Sequence, residues 1–250
     1  MMQNAGVSEK AAVAAVICAA GKSTRMNTVK KKEYLPYGKE GMTVLGASVT
    51  AFALIPEIES IVITVPDDPM LGEDTARKAL PAQLLEKDAY PKILFVKGGK
   101  TRQESVFNAL TYGLDGNAPD YVLIHDGARP WVSTSLIRKI IEGAKKHGAV
   151  IPILPITDTP KETEIPLEYL KGNEPVLLKR HLKRSFTGIA QTPQGFSFPE
   201  ILDAYRKAQA ASALASFTDD AEVWAAFYGG VWAVQGEPEN RKITFPEDLS

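Results

Sequence analysis

The chain has 250 residues, 44% of them hydrophobic and 24% charged, a make-up with enough apolar material for a full α/β core that excludes fibrous, collagen-like and disordered classes. Its 29 Lys and Arg against 30 Asp and Glu leave a formal charge of −1, so no global basic field draws it to nucleic acid or to a membrane surface, and any anion must be held locally. Cys18 is the single cysteine and there are three histidines, which offers neither an intramolecular disulfide nor a zinc-type ligand cluster; with no signal-like start and no apolar stretch of bilayer length, a cytoplasmic protein is expected.

Short apolar runs alternate with segments of helical period, the pattern of a mostly parallel sheet flanked by helices. The expected strands are Val13–Cys18, Ser60–Val65, Lys92–Val96, Tyr121–His125 and Ala149–Leu154. Thr43 is placed to cap a helix with Val44, Leu45, Val49, Phe52 and Ile55 near one face, and Ser133 one with Leu136, Ile137, Ile140 and Ile141,. Pro155–Ser185 has little period and is rich in Pro, Thr, Glu, Lys and Arg, so it reads as an extended arm. Pro199–Ala211 and Asp219–Tyr228 read as helices, Val231–Gln235 as a strand, Lys242–Phe245 as a short return to the sheet, and Pro246 as a helix start. No composition shift marks a second domain, so the expectation is one α/β domain over residues 1–250 with a protruding arm at 155–185.

The chemistry-bearing residues fall at the ends of these strands. After the first comes Ala19-Ala20-Gly21-Lys22-Ser23-Thr24-Arg25-Met26, small residues that let backbone amides approach a ligand and then Lys22 and Arg25, which can neutralise phosphate. The dinucleotide glycine pattern fails at Ser23 and Met26, and the P-loop fails because Val16 stands at its first glycine. Alone, this stretch fits either a nucleotide loop or a basic strand-to-helix turn, and Lys30-Lys31-Lys32 either adds to it or is a solvated face. After the third strand, Gly98-Gly99-Lys100-Thr101-Arg102 leads into a helix whose first turn holds Ser105, a ligand-facing turn or a plain connection. The fourth strand ends in His125-Asp126-Gly127-Ala128-Arg129-Pro130. Asp126 is the best candidate for Mg²⁺ or a ribose hydroxyl, His125 reads better as a packed imidazole than as a base, and Arg129 fits an ion pair or a phosphate contact. Thr218 is a natural N-cap before Asp219 and Asp220, which favour the helix dipole. No D-x-D motif supports a glycosyltransferase.

Taken in order, AAGKSTRM (19–26), KEYL (32–35), GGKTRQESV (98–106), HDGARP (125–130), TDTPK (157–161), QTPQGF (191–196), TDDAE (218–222) and NRKIT (240–244) resemble the 2-C-methyl-D-erythritol 4-phosphate cytidylyltransferase family of the non-mevalonate isoprenoid pathway, over nearly the whole chain. The ribitol- and ribulose-5-phosphate cytidylyltransferases share most of these motifs and are the alternative. The resemblance implies a Rossmann-like nucleotidyltransferase fold with an extended β-arm for dimerisation, CTP and a polyol phosphate as substrates, and Mg²⁺ as cofactor. It implies CTP binding at Ala19, Ala20, Gly21, Lys22, Arg25, Lys32, Gly98, Ser105 and Asp126. Arg25, Lys32 and Lys242 would be catalytic, and Arg129, Thr159, Arg184, Thr192 and Lys242 would take the acceptor. Three features depart from the family pattern: Lys31 stands where a proline is usual, Glu168–Arg180 lengthens the arm, and the C-terminal helix is nearly absent after Leu249.

Overall fold

The computed structural model describes residues 11–21, 31–38, 41–114, 116, 118–170 and 174–249, the side chain of Glu168 excepted. Its frame is an eight-stranded mixed sheet among those residues. Strands β1 (Val13–Cys18), β2 (Ile58–Val65), β3 (Lys92–Lys97) and β4 (Tyr121–Asp126) are parallel, in the order β4-β1-β2-β3. Beyond β4 lie β9 (Gln194–Ser197), β5 (Ala149–Pro155) and β10 (Trp232–Gln235). β9 runs antiparallel to both neighbours, β10 is parallel to β5, and β8 (Gly188–Ala190) pairs with β5.

Both faces of the sheet are covered, and the alternation within β1 shows how. Val13, Ala15 and Ile17 face a core made with helices α1 (Val44–Ala53), α2 (Glu73–Lys78) and α4 (Thr134–His147). Ala14 and Val16 face the core made with α3 (Arg102–Asn108), α5 (Phe198–Ala210) and α6 (Asp220–Tyr228). A strand buried on both sides has no polar alternation, which is why these runs read as continuous apolar segments. Truncating a buried side chain such as Phe52 or Ile63 removes transfer energy and leaves a cavity, at a cost of about 2–5 kcal/mol,. Thr43 and Ser133 cap α1 and α4, their hydroxyls accepting from Gly46 N and Leu136 N,. Gly148, at φ +80°, ends α4 in a conformation that suits glycine,.

The arm is a hairpin of β6 (Lys161–Thr163) and β7 (Leu178–His181), a separate two-stranded sheet. Three local expectations change. Lys242–Phe245 forms no strand: Ile243 N donates to Ala128 O at 2.9 Å, its buried side chain packs on Val44, and Asp248 accepts from the amides of Thr244 and Phe245. The cap of α6 is Asp219, which accepts from Glu222 N at 2.9 Å, while Thr218 donates to Glu222. β8 falls just before the QTPQGF motif and β9 within and just after it, where no strand is expected from the sequence; at three and four residues, with Gln and Gly in β9, they carry no period. Gly195 is needed there because a Cβ would meet Ile140 Cγ2 at 2.6 Å. Among the described residues no helix is long and apolar enough to cross a membrane.

Candidate active site

The strand order reverses direction at β1, with β2 on one side and β4 on the other. In open α/β sheets the crevice for ligands lies at such a switch point, outside the carboxyl ends of the strands. A cleft of about 300 Å³ opens there, lined by Cys18, Ala20 and Gly21 after β1, Thr64 of β2, Gly99–Arg102 and Ser105 after β3, Asp126 and Ala128 after β4, and by Lys32, Glu33, Lys242 and Thr244.

Asp126 is the centre of charge. Lys242 Nζ lies 2.9 Å from its Oδ2, Arg129 Nε 3.4 Å from the same oxygen, and Arg102 Nε 3.3 Å from Oδ1. Burial alone would raise its pKa, but Arg102, Lys242 and Arg129 together hold the carboxyl well below the usual range, so it is ionised at neutral pH,. Arg129 is itself steadied by donating from Nη1 to Asn240 O at 2.8 Å. Lys32 Nζ donates to Ile243 O at 2.7 Å, linking the short 3₁₀ turn Lys32–Tyr34 to the segment that carries Lys242.

The loop after β3 is pinned by its own side chains. Thr101 caps α3 through Glu104 N, and the Ser105 hydroxyl accepts from Gly99 N at 3.0 Å while donating to Thr101 O at 2.8 Å. No room exists for a side chain at Gly98, where a Cβ would meet that of Ala20 at 2.3 Å. Among the described residues, the loops after β1 and β3 approach each other through the small residues Ala20 and Gly98.

The groups that ordinarily serve as base or nucleophile are silenced. His125 is fully buried, and burial takes its pKa down to about 3, so the ring is neutral. Thr192 Oγ1 accepts from Asp126 N at 3.1 Å and lies 3.0 Å from His125 Nδ1, while Nε2 lies 3.3 Å from Arg129 O. One tautomer satisfies the set, with Thr192 donating to Nδ1 and Nε2–H donating to the carbonyl. Burial pushes the Cys18 thiol up to about 12, leaving no thiolate to attack,. The cleft is built to gather and neutralise anionic charge.

The family model described as IspD, 2-C-methyl-D-erythritol 4-phosphate cytidylyltransferase, matches residues 13–250. The chain belongs to this family. It is 38% identical, over 94% of its length, to a bifunctional IspD/IspF enzyme of a Bradyrhizobium species, of which it spans 54%, about half. To the 2-C-methyl-D-erythritol 4-phosphate cytidylyltransferase of Bacillus cereus it is 33% identical over 94% of its own length and 93% of that protein's. The crystal structure of 4-diphosphocytidyl-2C-methyl-D-erythritol synthase from Anaerococcus prevotii is similar with a TM-score of 0.75 and 29% identity, covering 96% of this chain and 93% of that one.

Within this IspD-family fold the residues expected from sequence separate into groups. Ala20, Gly21, Lys32, Ser105, Asp126 and Lys242 line one cleft. Ala19 and Gly98 lie just behind it, Ala19 N donating to Thr64 Oγ1 at 3.1 Å and Gly98 N to Val65 O at 2.8 Å. Arg129 and Thr192 stand beneath, holding Asp126 and His125. Lys22 and Arg25 fall outside the described residues. Thr159 and Arg184 are exposed on the arm, where Arg184 Nη1 donates to Thr157 O at 2.7 Å. Lys31 is not itself among the lining residues, but its ammonium is bonded to Gly21 O and lies 3.0 Å from Glu33 Oε2, both of which line the cleft. Arg102 is the functional side chain that sequence reasoning passed over. It stands within the GGKTR run, but only the fold shows that it reaches Asp126 and Asp220.

Proposed function

We infer that this protein transfers CMP from CTP to 2-C-methyl-D-erythritol 4-phosphate, releasing pyrophosphate and forming 4-diphosphocytidyl-2-C-methyl-D-erythritol. The observation that carries the reading is the ionised Asp126 ringed by Lys242, Arg102 and Arg129 at the switch point of an IspD-family sheet, with Lys32 on the same wall. The acceptor's 4-phosphate oxygen attacks the α-phosphorus in line and the pyrophosphate departs. A phosphate monoester dianion is already a nucleophile, so the reaction needs positioning and charge neutralisation more than a general base. This agrees with a neutral buried His125 and a protonated Cys18.

In this reading small residues at Ala19, Ala20, Gly21 and Gly98, with Ser105, receive the cytidine, while Lys32, Lys242 and Arg25 face the charge that grows on the α-phosphate. Among the described residues there is no cluster of three or more His, Cys, Asp or Glu able to cage a metal. Of the two described carboxylates in the cleft, Glu33 is paired with Lys31 and Asp126 is shared among three cations, an arrangement that suits a Mg²⁺ carried mainly by the nucleotide's phosphates. When bound, Mg²⁺ supplies neutralisation of phosphate charge and so favours the departure of pyrophosphate. Arg129, Thr159, Arg184 and Thr192 belong to the acceptor side, with the arm reaching toward a second copy in a cytoplasmic homodimer. The exposed Leu167, Tyr169, Leu177 and Phe186 of the arm region supply apolar surface for that contact,.

Pyrophosphate release from CTP and Mg²⁺, measured with methylerythritol, ribitol and ribulose phosphates in parallel, tests the reading. Turnover with methylerythritol phosphate at least tenfold above the other two is expected. Preference for ribitol or ribulose phosphate reassigns the acceptor, and no turnover with any of them overturns the reading.

A further inference from the structure

Arg102 bridges two carboxylates unequally. Its terminal nitrogens form a fork on Asp220, Nη1 to Oδ1 at 3.0 Å and Nη2 to Oδ2 at 2.7 Å, whereas Asp126 receives only Nε, at 3.3 Å. Asp220 does not line the cleft. It begins α6, is fully buried, and its Oδ1 also accepts from Tyr205 Oη of α5 at 2.6 Å, itself fully buried. Asp219 caps α6, and although the helix dipole favours a negative charge in the first turn, where Asp220 stands,, it supplies no hydrogen-bond partners for the oxygens of a fully buried carboxylate. A buried carboxylate is costly unless its oxygens are matched by partners. Here both are matched by the guanidinium whose other edge reaches the active site.

We propose that Asp220, oriented by Tyr205, is a positioning residue for the nucleotide site: it holds the guanidinium fork of Arg102 away from Asp126 and thereby keeps the Asp126 carboxylate open to CTP. The Nη1–Nη2 edge of a guanidinium makes its two parallel N–H bonds to a single carboxylate, so the edge held by Asp220 is not offered to Asp126,. With the fork on Asp220, Asp126 keeps only the Nε contact from Arg102. Without the Asp220 charge the nearest carboxylate is Asp126, and Arg102 closes on it beside Lys242 and Arg129. The nucleotide then competes with the fork of Arg102, in place of its single Nε contact, as well as with Lys242 and Arg129 for the carboxylate at the end of β4. The proposal rests on the cytidylyl-transfer reading, because only there does Asp126 face a ribose or metal-bound phosphates.

The test compares Asp220→Asn, Tyr205→Phe, Arg102→Gln and the double variants Asp220→Asn/Arg102→Gln and Tyr205→Phe/Arg102→Gln. The readouts are calorimetric CTP binding with Mg²⁺ and steady-state pyrophosphate release. Asp220→Asn is expected to raise Kd and KM for CTP by about tenfold or more, with kcat and the acceptor KM within about threefold. Tyr205→Phe shifts CTP the same way by a smaller factor. In the Arg102→Gln background both added changes shrink to less than about twofold, since the group they act through is gone. Full additivity in the double variants, or no change in CTP affinity in the single ones, overturns the proposal. If Asp220→Asn does not fold, the Tyr205→Phe cycle decides by the same criterion. Failure of the parent protein to turn over CTP with any of the three acceptors instead overturns the cytidylyl-transfer reading, so the two failures are distinct.

Discussion

Gly98 and Ala20 approach so closely that a Cβ on Gly98 would lie 2.3 Å from that of Ala20 and 2.8 Å from Ser105 Oγ. At this point the segments after β1 and β3, which both line the cleft, can come this close because Gly98 has no side chain and Ala20 only a methyl group. Gly98→Ala therefore spreads these segments rather than damaging the core. CTP affinity should fall by tenfold or more, about 1.4 kcal/mol, with the melting temperature lowered by only a few degrees. Unchanged CTP binding by calorimetry would show that these segments do not hold the nucleotide.

Lys31 and Lys32 are adjacent and do different work. Lys32 lines the cleft, so Lys32→Ala should cut kcat by roughly 10²–10³ with little loss of stability,. Lys31 is buried on Glu33 and the Gly21 carbonyl, and burial lowers its pKa against the pull of Glu33. Lys31→Met takes a partner from a buried carboxylate and should cost about 3–5 kcal/mol of stability while the folded fraction keeps kcat within a few fold. Urea unfolding beside active-site-normalised kinetics separates the two, and the reverse pattern would exchange their roles.

Asp126→Asn removes the charge shared by Lys242, Arg102 and Arg129. The variant should need a several-fold higher Mg²⁺ concentration for half-maximal activity, and its kcat should fall. A Mg²⁺ titration that superimposes on the parent's would make this carboxylate structural.

Arg184 is exposed on the arm, its guanidinium donating to Thr157 O at 2.7 Å. If it reaches an acceptor phosphate across a dimer, Arg184→Ala raises the acceptor KM by one to two orders of magnitude, about 1.5–3 kcal/mol, and leaves CTP binding intact. Sedimentation at the assay concentration should report a dimer. An unchanged acceptor KM would mark Arg184 as a solvated cation.

His125 makes stability depend on pH. Its folded pKa of about 3 lies below the usual 6.5 because the neutral ring is buried. Between those values the unfolded chain binds the extra proton, so stability falls as pH drops through 6.5 and would be fully lost from this source only near pH 3. From pH 7 to pH 5 the loss from this group is about 2 kcal/mol. Asp126, with its folded pKa depressed, adds stability above the unfolded carboxylate value near 3.9 and is not part of this window,. Unfolding free energies from urea titrations at pH 7 and pH 5 should differ by that amount more in the parent than in His125→Gln. Equal slopes would mean that His125 is protonated in the fold.

Much of this protein is written locally. The two-sided burial of β1, the caps Thr43 and Ser133, and the glycines at 98 and 99 follow from residue type and spacing, because backbone geometry and apolar periodicity are short-range properties. The motifs at 19–26, 98–106 and 125–130 were legible as strand-end loops for the same reason, and their family order pointed to the cytidylyltransferases. The tertiary structure decided the rest. β9 is a strand only because β4 and β5 flank it, Lys242 approaches Asp126 only because Ile243 bonds to Ala128 O and packs on Val44, and Arg102 is divided between Asp126 and Asp220, which lies 118 residues away. Charge balance in a buried site is set by distances between segments that folding brings together, and no spacing along the chain encodes them.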